Sequence, residues 1–144
     1  MSRPVPSQHI LVVDDEPIVR DALNMALTFN GHTVELASNG PEALQKMAEQ
    51  QFDLVLTDFS MPQMLGDELA RRIKKKYPHQ VIAMVTAYPD FLSPQGKRAN
   101  PVDFIITKPF ALETIENAIG RAHEINKANR KKAESSLPPP SQDK

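Results

Sequence analysis

Apolar residues along the chain fall into five short blocks separated by longer amphipathic stretches. Ile10 to Val13 is a continuous apolar run that ends in Asp14 and Asp15, the pattern of a strand buried on both faces. Pro17 suits the first turn of a helix, on which Val19, Leu23, Ala26 and Leu27 share a face and which Gly31 stops. Val34 and Leu36 alternate with polar residues as a second strand. Asn39, Gly40 and Pro41 punctuate the chain before a second helix marked by Ala43, Leu44, Met47 and Ala48. Leu54 to Leu56 is a third strand running into Thr57 and Asp58. A loop with Met61 and Pro62 follows it, then a third helix striped by Leu65, Leu69, Ala70 and Ile73. Val81 to Val85 predicts a fourth strand ending at Thr86, and Phe104 to Ile106 a fifth ending near Lys108 and Pro109. Leu112, Ile115, Ile119 and Ala122 stripe a last helix. Strands alternating with helices imply an α/β fold, a parallel sheet doubly wound with helices on both faces.

One stretch breaks the alternation. Tyr88 to Pro101 holds three prolines and a glycine, so a fourth helix there is expected to be short or distorted. The expected organisation is a disordered N-terminal extension (1–7), one domain (8–126) and a basic, Pro-rich tail or linker (127–144) with an excess of three positive charges. Pro138 to Pro140 favour an extended conformation.

Composition narrows the chemistry. With no cysteine, thiol catalysis, disulfides and cysteine-ligated zinc are excluded. A net charge of −1 gives no overall basic field, so direct binding to nucleic acid or to an anionic membrane is not expected. No signal peptide or membrane-spanning run is visible, and the expected location is cytoplasmic. His9, His32, His79 and His123 are scattered without metal-site spacing and are expected at the surface or at an edge. Met61 and Met64 read as packing for the loop after Asp58. The basic run Arg71 to Lys76 reads as a hydrated helix face, or else as a docking surface for an acidic partner.

In an open parallel sheet, ligands bind beyond the carboxyl ends of the strands. Asp14, Asp15, Asp58, Thr86 and Lys108 all arrive at that edge. Taken singly, an Asp pair before a helix is often an N-cap, a lysine is often a surface residue, and a threonine is an ordinary strand residue. Asp58 is harder to dismiss, because aspartate is depleted in strands. Three crowded carboxylates repel one another and call for a cation, and oxygen ligands with no soft ligand suit Mg²⁺. An aspartate beside such a metal, an ammonium and a hydroxyl can attack phosphorus and form an aspartyl phosphate.

The set resembles the receiver domain of two-component response regulators. The matching pieces are Asp14-Asp15, the run Asp58-Phe-Ser-Met-Pro-Gln-Met-Leu-Gly66, Thr86-Ala87 and Lys108-Pro109-Phe110, at the family's spacings and over residues 8–125. The resemblance implies a flavodoxin-like, five-stranded parallel sheet in the order 2-1-3-4-5. It implies Asp58 as phosphoacceptor, Asp15 as a direct Mg²⁺ ligand and Asp14 as a ligand through water. Ser60 would offer its backbone carbonyl to the metal, Thr86 the switch hydroxyl, and Lys108 a pair for a phosphoryl oxygen. The Lys108-Pro109 bond is expected to be cis. Ser60 and Tyr88 match positions where reset rates are tuned. The implied partner is a sensor histidine kinase or a histidine phosphotransfer protein, with a downstream protein beyond it. The chain would catalyse only its own phosphorylation and dephosphorylation. It is expected to be a stand-alone receiver, or one excised from a longer regulator or hybrid kinase.

The sequence departs from the family at two places. Receivers usually carry an aromatic residue three positions before the lysine, where this chain has Ile105, while Phe104 should point to the opposite face. The usual Gly-Ala before the fifth strand is also absent. Two other readings stay open at this point. One is a Mg²⁺-dependent phosphohydrolase, although Phe59 and Ser60 follow Asp58 where such enzymes place a second acid. The other is an interaction module that keeps the fold and ignores phosphate.

Overall fold

A computed structural model describes residues 5–87 and 101–136. Five parallel strands form one sheet in the order β2-β1-β3-β4-β5. They are β1 (His9–Val13), β2 (Thr33–Ala37), β3 (Leu54–Asp58), β4 (Ile82–Thr86) and β5 (Phe104–Thr107). The described helices are α1 (Pro17–Phe29), α2 (Gly40–Glu49), α3 (Gly66–Lys76) and α4 (Leu112–Ser136). The expected short or distorted helix between β4 and β5, with Tyr88, lies outside the described residues.

Strand alternation divides the core in two. Ile10, Val12, Leu54, Leu56, Ala83, Val85, Phe104 and Ile106 face α1 and α4, meeting Leu23, Leu27, Ile115 and Ile119. Leu11, Val13, Val55 and Ile82 face α2 and α3, meeting Ala43, Met47, Leu69, Ala70 and Ile73. Both faces of the sheet are therefore covered, which explains the unbroken apolar runs. Phe104 points away from half-buried Ile105, as alternation requires.

Local chemistry sets the helix ends. Pro17 opens α1, and Gly31 at φ 95° follows its cap. Asn39 caps α2 by accepting from the Glu42 N–H, and the Glu42 carboxylate reaches back to the Ser38 N–H and hydroxyl. Acids in the first turn of α3 and lysines in its last turn oppose the helix dipole.

Three outcomes differ from the sequence pattern. The expected tail begins at residue 127, yet α4 runs on to Ser136, because its Lys, Ala and Arg residues are good helix formers and no proline intervenes before Pro138. Val5, inside the expected N-terminal extension, packs against the α1/α4 core. His32, expected at the surface, is buried. Its Nδ1 accepts from the Gln8 N–H at 3.1 Å, and its Nε2 lies 3.6 Å from Glu116.

Candidate functional site

The register of the sheet builds the site. Val13 lies opposite Thr57, so Asp14 leaves β1 level with Asp58 at the end of β3. Asp58 lies opposite Val85, and Thr86 opposite Thr107, immediately before Lys108. The Lys108 N–H donates to the Thr86 carbonyl at 2.8 Å. Asp14, Asp58 and Lys108 share the alternation parity of the α1/α4 face, and for this reason three residues far apart in sequence can meet. Thr86 shares the parity of Ile82 and Met84, and it is buried at the same rim.

The side chains do meet. Lys108 Nζ lies 2.9 Å from Asp58 Oδ1. One carboxylate oxygen each from Asp14, Asp15 and Asp58 lies within 4.8 Å of the others. Asp14 is more than an N-cap, since its Oδ1 accepts from the Glu16 N–H at 2.9 Å while Glu16 holds the cap position of α1. Burial, the nearby Asp58 charge and Asp15 push the Asp14 carboxyl up to about 6, against the opposing pull of the Glu16 N–H and Lys108. Burial also raises Asp58 above its ordinary value, with the Lys108 bond pulling back and Asp15 adding to the rise. Burial alone would lower the Lys108 ammonium, but its bond to Asp58 and the charges of Asp58 and Asp14 leave it raised. Buried carboxylates such as Asp14 and Asp58, raised in the free protein, are suited to a divalent cation, and the three convergent hard oxygens of the cluster fit one. Arg121 lies over the Phe104 ring at 4.3 Å, on the β5–α4 side of the fold.

The loop after Asp58 is tightly held. Met61 and Met64 are buried, as expected of packing residues, and Gln63 takes φ 75°. The Gly66 N–H donates to the Phe59 carbonyl at 2.8 Å. A side chain at Gly66 would meet the Asp58 carbonyl, Met84 Sδ and Phe59 Cα. Ser60 lies exposed in this loop. The Lys108-Pro109 peptide bond is cis.

A model of the response regulator receiver domain matches residues 10–120. The chain belongs to this family. It is 40% identical over 111 residues to the response regulator MprA of Mycobacterium ulcerans, an alignment covering 76% of this chain and 47% of that protein. The chain thus spans about half the length of the curated relatives it matches. Among solved structures it resembles the response regulator TrrA of Thermotoga maritima, determined in complex with Mg²⁺-BeF. The TM-score is 0.73 at 34% identity, covering 80% of this chain and 98% of that one. The chemotaxis protein CheY4 of Vibrio cholerae matches with a TM-score of 0.73 at 30% identity, over 82% of this chain and 99% of that one. The flavodoxin-like strand order and the acidic cluster agree with this membership in two-component signalling. Among the described residues, no helix is long and apolar enough to cross a membrane.

Arg20 is absent from the sequence-derived site, yet its Nη1 donates to the Asp14 carbonyl at 2.6 Å. The available signal was its place in the first turns of α1, since helical side chains lean back toward the N-terminus and so toward the Asp pair.

Proposed function

We propose that this receiver accepts a phosphoryl group on Asp58 from a histidine kinase or a histidine phosphotransfer protein. The observation that carries the reading is the 2.9 Å pair between Lys108 and Asp58 within the three-carboxylate cluster. A carboxylate oxygen of Asp58 forms the new bond to phosphorus, and the bond from phosphorus to the donor's imidazole nitrogen breaks. Lys108 holds its ammonium where charge gathers on the transferring oxygens. Thr86 supplies a hydroxyl donor to the phosphorylated state, and its movement, with that of Lys108, reorganises the neighbouring surface. Water attack on the acyl phosphate resets the switch.

Asp15 and Asp58 would hold Mg²⁺ directly, Asp14 through water, and Ser60 through its backbone carbonyl. The ion, when bound, neutralises the acidic cluster and the phosphoryl oxygens. Ser60 would also tune the reset rate. Residues 8–126 hold the site and most of the receiver unit on this reading, and Val5 and the end of α4 extend that unit beyond both bounds.

The donor needs a surface beside Asp58. A groove of about 330 Å³ lies between α1 and the segment after Lys108, lined by Ile18, Val19, Ala22, Leu23, Phe110 and Leu112. Ile18, Met25 and Phe29 add exposed apolar area along α1. Such a surface fits an amphipathic helix of a protein donor.

The test is phosphate incorporation from a small phosphodonor. Wild type should gain one phosphoryl mass only with Mg²⁺ present, and Asp58→Asn should gain none. Incorporation that ignores Mg²⁺, or that survives Asp58→Asn, overturns the proposal. Steady turnover of a phosphomonoester would favour a hydrolase instead.

A further inference from the structure

Asp14 is tied down at three points. Its N–H donates to the Ala37 carbonyl at 3.1 Å, its Oδ1 accepts from Glu16, and its carbonyl accepts from Arg20 Nη1 at 2.6 Å. The first two ties come from backbone next to it in the sheet and the chain. The third comes from a side chain six positions on, in a half-buried part of α1. The Arg20 N–H also donates to the Glu16 carbonyl at 3.1 Å. Glu16 is thus bonded to Asp14 on one side and to Arg20 on the other, which closes the β1–α1 corner into a ring.

The atom Arg20 holds has a special place. The Asp14 carbonyl belongs to the peptide plane joining Asp14 to Asp15. That plane is rigid, so holding its oxygen restrains the torsions on either side of it, ψ of Asp14 and φ of Asp15, and with them the directions of both side chains. A guanidinium-to-carbonyl bond is charge-assisted and stronger than a neutral one. The field of Arg20 reaches across to α2. The Glu42 carboxyl is held low first by its Ser38 bonds, then further by Lys46 and Arg20.

We propose that Arg20 is a positioning residue for the metal site, clamping the Asp14–Asp15 peptide so that both carboxylates are aimed at Asp58 before a cation arrives. This rests on the reading that the acidic cluster binds Mg²⁺. Two effects of Arg20 on that binding oppose each other. As a clamp it spares the site an ordering cost, whereas as a nearby positive charge it repels the ion. The charge is turned onto a carbonyl and lies toward solvent-screened Glu42, so the clamp dominates.

The opposition gives the test a sign. Mg²⁺ alone is titrated calorimetrically into the full chain as wild type, Arg20→Ala, Arg20→Gln and Arg20→Lys, with thermal melts of each metal-free protein. Loss of a partner that orients a metal ligand typically weakens affinity by about tenfold or more, and about tenfold is expected for Arg20→Ala. Arg20→Lys should recover part of the loss, and Arg20→Gln less. If Arg20→Ala fails to fold, the Gln and Lys variants carry the same comparison. Equal or tighter Mg²⁺ binding in the folded variants overturns the proposal, even if their melting falls, because a merely structural tie moves melting and not affinity. Wild type that binds no Mg²⁺ overturns instead the metal-site reading beneath it.

Discussion

Asp14→Asn should stabilise the metal-free protein near neutral pH, because the wild-type fold holds a carboxylate there against its preference. The Asp14 carboxyl rises from 3.8 to about 6, chiefly through burial, so ionising it costs the folded chain about 3 kcal/mol more than the unfolded one. A folded-state value above the unfolded one means that the folded chain binds this proton more tightly. The stability it contributes is complete below about pH 3.8, declines above that, and is gone once the pH passes about 6. From about pH 7.5 to about pH 5 the metal-free wild type should therefore gain about 1.4 kcal/mol from this group. Asparagine keeps an oxygen for the Glu16 N–H and cannot ionise, so the variant lacks that gain and is more stable by about 2 kcal/mol at the higher pH. Urea unfolding of both chains at the two pH values reads the difference directly. Saturating Mg²⁺ should reverse the order, since a cation favours the ionised cluster and Asp14→Asn weakens its site. Equal slopes of stability against pH in the two chains would refute the claim that burial strains Asp14.

Four further substitutions test the packing of the fold and the pairing at the site. Gly66→Ala places a methyl 2.7 Å from Met84 Sδ and 2.9 Å from Phe59 Cα, as well as against the Asp58 carbonyl, so a loss of about 2–4 kcal/mol is expected in thermal or urea melts. Among the described residues, a methyl at Gly120 meets only Val5 Cγ2, at 3.7 Å, so Gly120→Ala should stabilise α4 by about 0.5–1 kcal/mol in the same melts. Lys108→Met removes the ammonium from buried Asp58, so the Asp58 carboxyl should titrate at still higher pH by carboxyl carbon NMR. An unmoved titration would contradict the pairing. His32→Ala leaves the Gln8 N–H without its acceptor and should lower stability by about 1–3 kcal/mol, visible as a lower urea midpoint.

The chain's pattern carried most of the architecture because this sheet is covered on both faces. Each strand then reads as an unbroken apolar block, and its last polar residue marks the rim. Asp14, Asp58, Thr86 and Lys108 were legible for that reason. What the pattern could not show depends on contacts across the fold. His32 looks like any surface histidine until Gln8 and Glu116 close over it. Arg20 looks like a solvated helix residue until the lean of its side chain brings it to the Asp14 carbonyl. The last turns of α4 fall within the expected tail because a basic, polar segment gives no apolar stripe, while good helix formers carry the helix on to Ser136. Gly66 was visible as part of a motif, but the reason for a glycine there, the close approach of the Asp58 backbone, appears only in three dimensions.

Locating the acyl phosphate discriminates most sharply among the three acidic residues. The chain is phosphorylated with a small donor and Mg²⁺, reduced with borohydride to convert an aspartyl phosphate to homoserine, digested and mapped by mass spectrometry. Conversion at Asp58, with Asp14 and Asp15 intact, is the expected result. Conversion at Asp14 or Asp15, or at none of the three, would mean that the lysine-paired carboxylate is not the nucleophile.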